Sequence, residues 1–322
     1  MNHVGTGRLR SYTSQPASLF GLVQEAIGLY RLHNKDIAAR VRYSFNCAQE
    51  VEREIRERFS ISIENPDMLE IGPGPWLEQM AYFARSNRVT GIDLDVIALG
   101  WQPAQYVRML RQNGARRLLK TAVRKCAGID RAHRDEQRRQ LGLSELPRMA
   151  VLQMDACRMA FPPASFDFVY SNSVFQSLPD PGKGANRVAD VLRPGGVACI
   201  WLQLWTSVNG SRDPRLVNVE GNERALWPHL RPQLSEWVRP NLYLNKLRLA
   251  EWHHLFGGAM PGVQFVHNRT EAPGIVEAAR RLKDAGELDG YTLDELLTHN
   301  LIALWRKPPT GGPSGNPRGH EA

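Results

Sequence analysis

A doubly wound, mostly parallel seven-stranded α/β sheet with helical insertions is the fold this 322-residue sequence predicts. Short apolar runs that stop at glycine or polar turns occur seven times, and most are separated by stretches of helical periodicity. The first run ends in a glycine turn and the second ends on an acid, the pattern of a ligand loop at the head of a parallel sheet.

The elements follow in order. Leu19, Val23, Ala26, Ile27 and Tyr30 form an apolar stripe at helical spacing, and Asn46 is placed to cap a second helix running to Phe59. Glu50, Arg53, Glu54 and Arg58 fall on its wet side. The strands are Met68–Ile71, Val89–Ile92, Met149–Leu152, Phe166–Tyr170, Val197–Leu202, Val263–Val266 and Leu301–Trp305. The last two flank a helical stretch with Ile275, Ala278, Ala279 and Leu282, and are expected to pair as the sheet's closing edge.

Segments 99–147, 206–261 and 271–300 are too long to be structureless within a compact domain, so they read as insertions. The chain therefore divides into an N-terminal helical segment (1–66), one domain (67–308) and a disordered tail (309–322) rich in Pro, Gly and polar residues.

No stretch approaches the roughly 20 apolar residues that a membrane-spanning helix needs. Residues 1–20 lack the apolar core of a secretory signal. Cys47, Cys126, Cys157 and Cys199 are scattered without metal-type spacing, and His229, His253, His254 and His267 have no matching carboxylate or thiol pair, so no metal is expected. These features read as a cytoplasmic protein with reduced thiols. The net charge of +8 is local: residues 107–148 hold twelve Lys and Arg against four acids, which equals the surplus of the whole chain.

In Met68-Leu69-Glu70-Ile71-Gly72-Pro73-Gly74-Pro75-Trp76 the glycines stand just past a strand, where the backbone must turn and let a ligand approach. Glu70 precedes the turn, and Asp93 ends the next strand at the usual distance for gripping ribose hydroxyls. A dinucleotide fingerprint would need glycine where Leu77 stands, and a buried carboxylate suits an ammonium-bearing ligand better than a pyrophosphate.

With these motifs the chain resembles the class I S-adenosylmethionine-dependent methyltransferases, in particular the type 11 methyltransferase domain group. The resemblance covers roughly residues 67–202. Met154-Asp155-Ala156 after the third strand, Phe161-Pro162, Ser165 to Tyr170, and the turn Leu192-Arg193-Pro194-Gly195-Gly196 follow the family's order. The resemblance implies a Rossmann-like methyltransferase fold that binds S-adenosyl-L-methionine. In it Glu70, Gly72, Pro73 and Gly74 wrap the methionine part, Asp93 binds the ribose, Leu94 packs on the adenine, Asp155 contacts its amino group, and Ala156 is grouped with these cofactor residues. Trp76 replaces a frequent third glycine and is expected to narrow the pocket. Gln176-Ser177 replaces a frequent Glu-His pair and removes a candidate base.

Methyl transfer from a sulfonium is an in-line displacement in which positioning does most of the work. Ser171, Asn172 and Gln176 follow the fourth strand, where the family would place the reactive methyl, and Ser171 is grouped with the cofactor residues. A helix cap and exposed polar positions are their plainer alternatives. Asn172 and His229 are the catalytic candidates, with His229 as a base for a hydroxyl acceptor. Segment 206–261, with Trp227, Trp237 and Tyr243, is read as a substrate lid, against the plainer alternative of a small aromatic core.

From Ala115, Leu118, Leu119, Ala122, Val123 and Cys126 recur at helical spacing among Arg116, Arg117, Lys120, Arg124 and Lys125. Asp130 is placed to cap a second helix that stops at Gly142. The plain expectation for the basic helix is a solvated surface with its apolar stripe against the core. An anionic acceptor or an anionic membrane surface contacting 107–148 comes next, and RNA last, because the segment has no aromatic for base stacking. The reading is a methyltransferase acting on a small molecule such as a lipid or saccharide intermediate, cytoplasmic or peripheral to the membrane. A non-catalytic cofactor-binding module and an RNA methyltransferase stand behind it.

Overall fold

The computed structural model describes residues 36–213, 216, 225–240 and 242–309. The Leu19–Tyr30 stripe and the tail from residue 310 lie outside the described residues.

The strands are β1 (Asp67–Ile71), β2 (Arg88–Asp93), β3 (Ala150–Gln153), β4 (Phe166–Asn172), β5 (Leu192–Gln203), β6 (Gln264–Arg269) and β7 (Thr298–Arg306). They form one sheet in the order β3-β2-β1-β4-β5-β7-β6, parallel throughout except that β7 runs antiparallel to both neighbours. The expected fold class, strand number and closing edge are all present. The central runs are almost wholly apolar because helices cover both faces.

On one face, α1 (Ile37–Phe59) and α2 (Glu78–Ala84) pack Val41, Phe45, Val51, Ile55, Met80 and Phe83 onto Met68, Phe168, Tyr170 and Cys199. The helix expected to start at Asn46 begins instead at Ile37. Asp36 supplies the cap, accepting from the Ala39 amide at 2.8 Å, and Asn46 becomes an exposed interior position.

On the other face, α6 (Pro181–Val191) and α8 (Leu249–Ala259) cover Leu69, Ile71, Val169 and Ile200. The end of segment 206–261 is thus a sheet-covering helix and no lid, because Leu249, Trp252 and Phe256 make an inward helical stripe. Among the described residues of its earlier part the one helix is the short α7 (Pro232–Ser235). There Trp227 and Leu230 pack with α9 (Pro273–Asp284) and α10 (Leu293–Leu297), so Trp227 is a core aromatic, whereas Trp237 and Tyr243 are exposed.

Segment 99–147 forms α3 (Pro103–Asn113), α4 (Ala115–Cys126) and α5 (Ile129–Leu141). α3 has no inward stripe to betray it: Met109 is its one buried residue. α5 stops at a left-handed Gly142, as expected, but Asp130 does not cap it. That carboxylate lies buried in the first turn, paired with Arg124, held 3.5 Å from Lys125 Nζ, and accepting from the Trp76 indole at 3.2 Å.

These partners set which side of α4 faces inward. Arg124 and Lys125 face inward on Asp130, and Arg117 faces Asp95 at 3.3 Å, while Leu119 and Val123 are 46% and 38% exposed. The expected apolar stripe against the core is therefore split: Leu118 packs inward, while Leu119 and Val123 turn outward. Paired inward charges outcompete two aliphatic side chains for the inner face.

The described cysteines are unpaired, and among the described residues no helix is long and apolar enough to cross a membrane. Removing one partner of a buried ion pair costs about 3–5 kcal/mol. Asp130→Ala is expected to destabilise the protein by about 3 kcal/mol in urea denaturation; a change below about 1 kcal/mol would show that the insertion does not hang on this carboxylate.

Candidate functional site

β1 ends at Ile71 and the chain reverses at once. Gly72 and Gly74 have φ of +71° and +68°, and Leu77, the residue before α2, has φ of +54°. A Cβ on Gly72 would lie 2.2 Å from Val174 Cγ2, so the loop after β4 presses directly on this turn. At Gly74 nothing lies within 4 Å of such a Cβ, which leaves that side of the loop open to a ligand. The Gly72 amide donates to the Ile92 carbonyl at 2.7 Å and locks the turn to β2.

β2 delivers Asp93 to the same place. Its carboxylate accepts from the Asp95 amide at 2.8 Å and from the Gly74 backbone, so the glycine turn and the acid are physically joined. Burial pushes Asp93 up to about 6 against those hydrogen bonds. The Met154 amide donates to the Asp93 carbonyl at 2.9 Å, bringing the end of β3 alongside. Asp155 accepts from the Cys157 amide at 2.8 Å and starts a 3-10 turn at Ala156.

Between these ends lies an open cleft of about 200 Å³. Asp93, Leu94, Asp155 and Ala156 line it together with Gly72 and Val174. Two carboxylates stand among largely apolar walls, and among the described residues no lysine or arginine is in the lining. Such a lining repels a pyrophosphate and suits a ligand with a diol, a flat apolar ring and net positive charge. S-adenosylmethionine has all three, so the residues present fit it.

Glu70 lies beneath the loop, 2% exposed, and its Oε2 finds no hydrogen-bond partner among the described residues. Burial raises its pKa to about 8. A nearby ammonium would relieve this isolation.

The end of β4 departs from expectation in detail. Ser171 is fully buried and its hydroxyl donates to the Ile71 carbonyl at 3.3 Å, which ties β4 to β1 and turns the group away from the cleft lining. Asn172 ends the strand with its Nδ2 donating to Gln79 at 3.3 Å. Gln176 is buried, contrary to its exposed alternative, while Ser177 lines the cleft. Asn245 clamps this loop from the segment after β5, donating to the Phe175 and Leu178 carbonyls at 2.8 and 3.1 Å.

His229 is a core histidine of the insertion. Its Nε2 is 2.7 Å from the Trp205 carbonyl, its Nδ1 is buried without a partner among the described residues, and burial lowers its pKa to about 4. That ring has neither the access nor the basicity of a general base. Trp76 does not narrow the cleft either: its ring stacks on His133 at 4.1 Å, anchoring α5 to the loop.

Several residues at the carboxyl ends of the strands have no sequence signature. Gln79 bridges Asn172 and the Ser44 carbonyl, next to exposed Tyr43, and the guanidinium of Arg212 acts electrostatically on both Tyr43 and His299. Val174 also escapes notice, although its position just past β4, facing the glycine turn, is the signal that could have found it.

Residues 100–200 match the model of the family described as "Methyltransferase domain". The match runs from just before α3 into β5, the stretch that holds Asp155, Ala156 and Asn172. The matched range begins just past Asp93, so the glycine turn stands on its own geometry. No curated protein matches the sequence.

Among solved structures, phosphoethanolamine N-methyltransferase 2 of Haemonchus contortus, crystallised with S-adenosyl-L-methionine, is similar at 17% identity and a TM-score of 0.44. The likeness covers 80% of this chain and 52% of that one, so this chain spans about half of its length. An S-adenosylmethionine-dependent methyltransferase of Mesorhizobium loti is similar at 15% identity and a TM-score of 0.37, over 76% and 92% of the two chains. The [4+2]-cyclase SpnF is similar at 16% identity and a TM-score of 0.40, over 81% of each. At these values the similarity carries neither acceptor nor mechanism.

A side chain in the left-handed region costs about 1–2 kcal/mol, and Gly72→Ala adds a collision with Val174. Cofactor affinity measured by calorimetry is expected to fall further in Gly72→Ala than in Gly74→Ala; equal losses would contradict the packing assigned to Val174. Glu70 gives a second expectation. Its folded pKa of about 8 exceeds the ordinary 4.5, so its stabilising contribution is full below pH 4.5 and is lost as pH rises through about 8. Ligand-free Glu70→Gln should lose less stability than the native protein across that window, and parallel pH profiles would refute the assignment.

Proposed function

We propose that this protein transfers the methyl group of S-adenosylmethionine to a small-molecule acceptor that enters over the carboxyl ends of β4 and β5. The observation that carries this reading is the cleft lining: Asp93 and Asp155 among largely apolar walls, with no lysine or arginine among the described residues, beside a glycine turn joined to Asp93 by a backbone hydrogen bond.

In this reading Asp93 takes both ribose hydroxyls, and Leu94 and Ala156 hold the adenine ring while Asp155 selects its amino group. Gly72, Pro73 and Gly74 give the methionine part room to approach backbone, and the Glu70 charge acts on the ammonium from beneath the turn. Ser171 serves by fixing β4 to β1. When bound, the cofactor supplies an activated methyl on a sulfonium, so the chain's task is to hold the acceptor in line and keep water out.

Asn172, with Gln79 behind it, is the polar group nearest to that task. His229 has no part in it. Tyr43 and Arg212 border the same end of the sheet and would meet the acceptor's polar part. The exposed aromatics Trp237 and Tyr243 in the segment after β5 favour an acceptor with apolar or sugar-ring surface, such as a lipid or saccharide intermediate.

Calorimetry with S-adenosylmethionine tests the cofactor half of the proposal. A hydrogen bond to a charged group contributes roughly 1.5–3 kcal/mol, so Asp93→Ala should weaken binding about 10- to 100-fold. Unchanged affinity in that variant would overturn the reading. Mass spectrometry of metabolite extracts incubated with methyl-labelled cofactor tests the transfer half; binding without any labelled product would leave a cofactor-binding module.

A further inference from the structure

We propose that the outer face of α3 and α4 is a docking surface for an anionic lipid bilayer. The two helices pack their inner residues Met109 and Leu118 on the same small cluster with Val96 and Ala98, which leaves each helix an outward side. On those sides α3 presents Val107 and Leu110, 48% and 46% exposed, and α4 presents Leu119 and Val123, 46% and 38% exposed. Trp101, in the turn before α3, is 62% exposed and stacks on Tyr106. Large aliphatic residues in solvent on two adjoining helices are an unusual outlay for a protein surface.

Charge says what covers them. From Pro103 to Ile129 the chain has no Asp or Glu, and the exposed Arg108 and Arg111 on α3 stand beside the aliphatic residues. Arg117, Arg124 and Lys125 pair inward with Asp95 and Asp130, which turns Leu119 and Val123 outward. An aliphatic centre bordered by cations matches the bilayer interface: side chains enter the acyl boundary and cations meet phosphate headgroups. A nucleic acid would leave the aliphatic centre unused. The inference stands apart from methyl transfer, since none of these outward residues lines the cofactor cleft.

The test is co-sedimentation of the full chain with vesicles of equimolar phosphatidylcholine and phosphatidylglycerol, against phosphatidylcholine alone. Partition onto the anionic vesicles should be about tenfold stronger and should fall as salt is raised. The double variant Val107→Glu with Val123→Glu should lose this binding while keeping native cofactor affinity, which separates the result from the cofactor reading. Arg108→Gln with Arg111→Gln, which leaves the aliphatic face intact, should weaken binding to anionic vesicles only. Equal partition onto both vesicle types, or unchanged binding in both variants, would overturn the proposal. So would a concentration-dependent dimer that Val123→Glu dissolves without any vesicle binding, because the face would then belong to a second copy of the chain.

Discussion

The reversal of the chain at the end of β1 constrains everything around it. Left-handed backbone at Gly72, Gly74 and Leu77 lets the strand turn into α2 within a few residues, and Val174 leaves no room for a side chain at the first of them. The turn is locked sideways through the Gly72 amide to β2 and through Gly74 to the Asp93 carboxylate. Because the sheet is parallel here, the same edge collects the ends of β1, β2, β3 and β4, and the cleft follows from their meeting.

A second set of forces fastens the basic insertion to that turn. Trp76 stacks on His133, His133 Nδ1 lies 2.7 Å from Glu78, and Asp130 gathers Arg124, Lys125 and the Trp76 indole. Hydrogen bonds from His133 and Ser44 hold the Glu78 carboxyl low although burial works against them. Cations drawn inward by these acids push Leu119 and Val123 of α4 out. One group of buried charges thus both steadies the cofactor loop and shapes the surface assigned to the bilayer.

How far this was legible in the sequence depends on the kind of signal. Strand runs such as Val197–Leu202 are read easily because burial on both faces leaves no alternative to apolar residues. The cleft was legible through local chemistry: Asp93 ends a strand, and Leu77 rules out the close helix packing a dinucleotide needs. His229 misled because a side chain's type says nothing of its burial. Asn46 misled because Asp36 offers the same cap earlier. α4 misled because periodicity shows that a helix has two faces, and only tertiary ion pairs with Asp95 and Asp130 decide which one turns inward. Tyr43, Gln79 and Arg212 come from three distant segments, and no local pattern could have joined them.

The account turns on where the cofactor lies, and a crystal structure with S-adenosylhomocysteine locates it directly. It should show both ribose hydroxyls on the Asp93 carboxylate, the adenine between Leu94 and Ala156, and the amino end at the Gly72–Gly74 turn above Glu70. Ligand confined to the separate cleft bordered by Trp76, Lys125 and Arg134, with the Asp93 cleft empty, would contradict it.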